Sequence, residues 1–126
     1  MLGACSHDGE PASEPAVEPA GEPDAGTAVP PVAGGDAVRG RALMAQYQCS
    51  ACHAIPGVPG NQGLTGPSLA MFGRDSYIAG GIPNYPEPLV RWIVDPAASK
   101  PGTAMPAMGV SDAEARHMAA YLYTLR

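Results

Sequence analysis

The sequence holds one lysine, Lys100, and three cysteines among 126 residues. Its formal net charge is -5 and no basic patch offsets it, which excludes a nucleic-acid-binding surface. No run of about 18 apolar residues occurs, so nothing in the chain as given spans a bilayer as a helix. No stretch alternates convincingly as a strand, and the expected fold class is all-α. The first 35 or so residues have no aromatic side chain, no lysine or arginine, and almost no branched apolar residue. Such a stretch cannot bury enough surface to offset chain ordering. Glu10-Pro11-Ala12, Glu14-Pro15-Ala16, Glu18-Pro19-Ala20 and Glu22-Pro23-Asp24 recur with a period of four, which favours an extended, semi-rigid form. Residues 6–35 are therefore expected to be a disordered Pro/Ala/Glu-rich spacer, and residues 36–126 one folded domain with a small core.

What the folded part does have is Cys49-Ser50-Ala51-Cys52-His53. A C-x-x-C-H run reads as the attachment site of a c-type haem. Two cysteines at this spacing can form thioethers with the two vinyl groups of one porphyrin, and the histidine that follows can place an imidazole on the iron. A redox dithiol or half of a zinc site are the other readings of a bare C-x-x-C. Zinc would need a second ligand pair, and only the scattered Cys5, His7 and His117 are on offer. A dithiol of the thioredoxin kind would need a βαβ pattern, and none is visible.

A carrier haem takes its sixth ligand from Met or His. Lys100-Pro101-Gly102-Thr103-Ala104-Met105-Pro106 is suited to supply it. Met105 stands between a Pro-Gly turn and a proline that bars a helix, so its thioether is presented from a stiff loop. Met108 is the rival, three residues on; Met44, Met71 and Met118 fall in helical stretches and read as packing residues. Helices are expected at Asp36–Tyr47, at about Pro86–Val94 with Pro96 as its stop, and at Ser111–Arg126. Ser111 and Glu114 form the pattern of a capping box, and Ala115, Met118, Leu122 and Leu125 make an apolar stripe. Gly40, in mid-helix, is disfavoured by about 1 kcal/mol against alanine and implies a close helix crossing with the last helix.

With these residues in family order, the chain from about Gly34 to Arg126 resembles the class I cytochromes c. The likeness is strongest to the cytochrome c domain fused to subunit II of some bacterial haem–copper oxidases, where a stretch similar to Gly81-Ile82-Pro83-Asn84-Tyr85-Pro86-Glu87 precedes a Trp-containing helix. The resemblance implies three to five helices wrapped around one covalent haem c. It implies haem contacts at Cys49, Cys52, His53, Pro67, Trp92, Thr103 and Met105, with His53 and Met105 on the iron. Pro67, in Gly66-Pro67-Ser68-Leu69, would orient His53 through its carbonyl; Trp92 would pack beside the haem and Thr103 would bond a propionate. No catalytic residue is expected, because both axial positions are filled. The implied function is a single-electron carrier in a respiratory or photosynthetic chain, between a quinol-oxidising donor and a terminal oxidase. A haem-based gas sensor or a catalytic haem with a labile sixth ligand is the alternative, and the methionine loop discriminates between them.

Leu2-Gly3-Ala4-Cys5 resembles a bacterial lipobox, so Cys5 is a candidate for lipidation, with residues 1–5 the remnant; otherwise it is an unpaired thiol. Haem attachment to C-x-x-C-H occurs outside the bacterial cytoplasm, which implies a periplasmic or outer-face location, lipid-anchored to the membrane. A spacer of about 30 residues at about 3.1 Å each reaches roughly 90 Å if extended. From Asp36 onward acidic and basic residues nearly balance, which argues against docking through a lysine ring. An apolar patch of Ala54, Ile55, Val58 and Pro59 is the expected docking surface, with electron transfer only weakly dependent on salt.

Overall fold

The computed structural model describes residues 31–60 and 62–126. The lipobox-like segment with Cys5, and residues 6–30 of the spacer, lie outside the described residues. Four α-helices carry the domain: α1 (Ala37–Gln46), α2 (Pro86–Val94), α3 (Pro96–Ser99) and α4 (Asp112–Leu122). Single 3-10 turns cover Cys49–Ala51 and Phe72–Arg74. The one pair of strands among the described residues is antiparallel, β1 (Tyr77–Ile78) and β2 (Ile82–Pro83), in the register Tyr77↔Pro83 and Ile78↔Ile82. Its turn places Ala79 and Gly80 at φ of 51° and 83°, and the Gly81 N–H donates to the Ile78 carbonyl at 3.1 Å. Two residues a side leave no alternation for a sequence to display.

Local chemistry sets the helix ends. The Asp36 carboxylate caps α1 by accepting from Val38 and Arg39, while its own N–H donates to His117 Nδ1 at 2.9 Å. Pro86 opens α2 at its first position, where the missing N–H costs nothing. At α4 the capping box is complete: Ser111 Oγ accepts from Glu114 N at 3.1 Å and Glu114 Oε1 accepts from Ser111 N at 3.2 Å.

The core forms where α4 crosses α1 and packs on α2. Met44, Leu89, Val90, Ala115, Met118, Ala119, Leu122, Tyr123 and Leu125 are all buried. A Cβ on Gly40 would stand 1.9 Å from the His117 carbonyl oxygen, so the two helix backbones touch there and only glycine fits. Val32–Gly35, placed in the spacer by sequence, lie on this core: Val32 packs against it and the Gly35 N–H donates to Val32 at 2.9 Å. Arg116 holds this entry segment by donating to Ala33 O at 3.4 Å, and pairs with Glu87 of α2 (2.8 Å) and Asp112 of α4 (2.7 Å).

Candidate haem-attachment site

The C-x-x-C-H motif begins where α1 ends. Tyr47 caps the helix, and its hydroxyl donates to Glu114 Oε1 at 2.9 Å, tying the exit of α1 to the start of α4. Gln48 then turns the chain through a left-handed conformation, φ 57° and ψ 39°. From there Cys49–Ala51 makes one 3-10 turn, and both Cys52 N (3.3 Å) and His53 N (3.1 Å) donate to the Cys49 carbonyl. Side chains three apart eclipse one another in a 3-10 turn, so Cys49 and Cys52 point to one side. Both thiols are free and half-buried. Burial, reinforced by neighbouring Cys52, pushes the Cys49 thiol above its ordinary value. That is opposite to the depression found in reactive dithiols. Among the described residues no three His, Cys, Asp or Glu side chains gather as a metal site.

The segment Gly63–Leu69 forms a collar on the motif. Gly63 N donates to Ser50 O at 2.9 Å, Gly66 N to Cys52 O at 2.7 Å, and Leu69 N to Ala54 O at 2.8 Å. Two of these approaches demand glycine: a Cβ on Gly63 would lie 1.9 Å from Ala51 O, and one on Gly66 would lie 2.3 Å from His53 Cε1. The imidazole of His53 thus lies flat against bare backbone. Its Nδ1 is 2.7 Å from the Pro67 carbonyl. A carbonyl only accepts, so Nδ1 carries the proton and Nε2 keeps its lone pair for a metal. Buried Ser50 supports the turn from within by donating to Pro59 O at 3.0 Å. Gln62, at φ 51°, accepts from Ile55 N and donates to Val58 O, both at 2.8 Å, and so curls the loop after the motif inward. The expected docking patch is corrected by this loop: Ile55 is 0% and Val58 3% exposed, so both are core residues.

On the methionine side, α2 buries Leu89, Val90, Trp92 and Ile93. Asp95 caps the short α3 by accepting from Ala98 N at 3.2 Å, and Lys100 Nζ donates to Ala79 O at 2.9 Å. The loop that follows turns at Gly102 and Gly109, with φ of 82° and 77°. Between them Met105 is half-buried and packs on the core, while Met108 is 47% exposed. The Thr103 hydroxyl accepts from Met105 N at 3.3 Å, so Thr103 braces the methionine backbone. The Gly63–Leu69 collar and the Gln62 clasp join stretches of chain whose pairing no local pattern announces. The donor set fits haem c: two half-buried thiols on one side, an imidazole with an oriented free nitrogen, and one inward thioether on a stiff loop.

The sequence model of the Cytochrome c family matches residues 37–126. The chain belongs to the cytochrome c family. It also resembles the protein named cytochrome c oxidase subunit 2 of Alkalihalophilus pseudofirmus (strain OF4), with 36% identity over 89 residues, 70% of this chain. The chain spans only 25% of that relative's length. Its folded domain is a small all-α class I cytochrome c related to oxidase subunit II, with haem c attached covalently, and it is an electron carrier.

Proposed function

We propose that this cytochrome c carries single electrons in a respiratory chain, with His53 and Met105 as the axial ligands of its one haem and thioethers at Cys49 and Cys52. The observation that carries the reading is the 2.7 Å bond from His53 Nδ1 to Pro67 O, which frees Nε2 for the iron. Haem supplies a reversible one-electron couple, and thioether–imidazole ligation favours its reduced state. The chain's own residues do the rest. Pro67 and Gly66 fix the plane of the imidazole, Thr103 steadies Met105, and buried Trp92 lines the methionine side. The Thr103 hydroxyl accepts from Met105 N and keeps its own proton to donate to a propionate. With His53 and Met105 both holding the iron, the haem would offer no open position to a substrate and would supply one-electron transfer.

A quinol-oxidising complex is the proposed donor and a terminal oxidase the proposed acceptor, supported by the likeness to an oxidase subunit 2. Lipid on Cys5, outside the cytoplasm, is the proposed anchor; the acidic, proline-rich stretch behind it supports a tether. Tethering raises effective concentration at a neighbouring complex without new contacts. Two variants test the ligand set. Met105→Ala holoprotein is expected to bind carbon monoxide in the ferrous state and to lose the high potential, whereas Met108→Ala is expected to keep both properties. The reverse pattern would transfer the role to Met108. Acylation is checked by mass spectrometry of the membrane-extracted protein, with Cys5→Ala expected in the soluble fraction.

A further inference from the structure

The hairpin carries an aromatic face turned to solvent. Tyr77 of β1 is 61% exposed and Tyr85, just before α2, is 66% exposed. Tyr77 stands opposite Pro83, and Asn84 N continues the ladder by donating to Ser76 O at 3.0 Å. Tyr85 follows Pro83 by two residues in extended backbone, φ -124° and ψ 159°. Opposed residues, and residues two apart along a strand, share a side of the ladder. The two tyrosines therefore flank exposed Pro83, while Ile78 and the Asn84–Tyr123 bond face the core. No hydrogen bond or ring contact engages either tyrosine side chain among the described residues. Tyr85 gives α2 no side-chain cap, so its ring is not needed to hold the helix.

The chain enters the fold beside this face. One nitrogen of Arg116, Nη1, donates to Ala33 O at 3.4 Å and to Glu87 Oε1 at 2.8 Å, and Glu87 is two residues past Tyr85. Upstream of that point the spacer carries proline every fourth residue, at Pro11, Pro15, Pro19 and Pro23. Such a sequence favours the polyproline II form, which aromatic-lined surfaces bind because little chain freedom is left to lose. Residues 24–30 include Gly26 and reach about 22 Å if extended, enough to bring Pro19 and Pro23 to the tyrosines. Arg74 neighbours Asp75, and Glu87 is matched by Arg116 and Arg91, so the glutamates of the repeat meet no net negative charge there.

We propose that the segment Glu18 to Pro23 of this chain's own spacer docks on the face formed by Tyr77, Pro83 and Tyr85. The occupant is part of the same chain, so its effective concentration is about millimolar and a weak site is enough to fill it. Docking has a consequence for the lipid tether proposed above: the free length from Cys5 falls from about 30 residues to 14, and the reach from roughly 90 Å to about 40 Å.

Elastase cuts after alanine, and Ala20 lies within the docked segment. The full-length holoprotein carrying Cys5→Ala is compared with the same protein carrying Tyr77→Ser and Tyr85→Ser. Cutting after Ala20, followed by mass spectrometry, is expected to be about threefold to tenfold slower with the tyrosines present. Tyr77→Phe with Tyr85→Phe keeps both rings and should keep the protection. Val38→Ser, at an exposed apolar site close to the same entry point, should leave the rate as in wild type. In the ferrous wild-type holoprotein, NMR should show nuclear Overhauser contacts from Pro19 or Pro23 to the Tyr77 and Tyr85 rings, a readout that needs no variant to fold. Equal cutting with and without the tyrosines would overturn the proposal, as would the absence of those contacts. Faster cutting in Val38→Ser would mean unspecific apolar contact and would overturn it too. Protection that appears only as protein concentration rises would put the spacer on a second copy and refute docking within one chain.

Discussion

Replacing Gly40 by alanine puts a methyl group into the contact between α1 and α4. The added Cβ would lie 1.9 Å from the His117 carbonyl oxygen, 2.5 Å from its carbon and 2.9 Å from Met118 N. All three atoms are helix backbone, so no rotamer change relieves them, and the helices must part by about 1 Å or more. Parting them loosens Met44 and Met118, now 3% and 1% exposed. Alanine returns about 1 kcal/mol of helix propensity, while overpacking costs about 1–3 kcal/mol before the loosened packing is added. We expect a net loss of about 2 kcal/mol. In urea this lowers the unfolding midpoint of the holoprotein by about 1–2 M at unchanged slope. Gly81→Ala is the control: nothing lies within 4 Å of its added Cβ, so stability should hold or rise slightly. A Gly40→Ala midpoint equal to or above wild type would refute the account of the crossing.

Three further outcomes follow from the site and its supports. Gly66→Ala drives a methyl group into the His53 ring, so the purified protein should show a weakened or displaced imidazole, seen as a ferrous spectrum that shifts with carbon monoxide; an unchanged spectrum would show that the collar is not tight. Tyr123 is buried, donates to Asn84 Oδ1 at 2.9 Å, and has its hydroxyl pushed up to about 12 by burial. Its neutral form therefore favours the fold fully below the ordinary tyrosine value near 10, and the contribution is lost as pH rises through about 12. Tyr123→Phe should cost about 1 kcal/mol at neutral pH yet flatten that alkaline loss, and an alkaline profile as steep as wild type would count against it. Hydrogen bonding to Arg116 holds the Glu87 carboxyl below the ordinary carboxylate range. Its contribution is present above that range and lost as pH falls through the lowered value, so Arg116→Met should reduce the acid dependence of stability, and a coincident acid profile would speak against the ion pair.

Local signals were the legible ones. The bounds of α2 follow from prolines at Pro86 and Pro96, and the start of α4 from the spacing of Ser111 and Glu114. Gly40 announced the crossing because a mid-helix glycine is disfavoured without one. The C-x-x-C-H run was legible because haem attachment restricts its spacing. Less was legible wherever distant backbone does the holding. Ile55 and Val58 look like a surface patch when read in line, yet Gln62 pulls their loop inward through two side-chain bonds. Gly63 is indistinguishable from an ordinary turn glycine until Ala51 O is found against it. Val32 to Gly35 continue the spacer's composition and still dock, because Arg116 reaches across from α4.

The central claim is that iron is held from both sides, by His53 and Met105. Its most direct test is the visible spectrum of the ferrous holoprotein before and after addition of carbon monoxide. The account predicts a low-spin c-type spectrum that does not change. A clear shift would mean an open or labile sixth position and would contradict the carrier mechanism in favour of a sensing or catalytic haem.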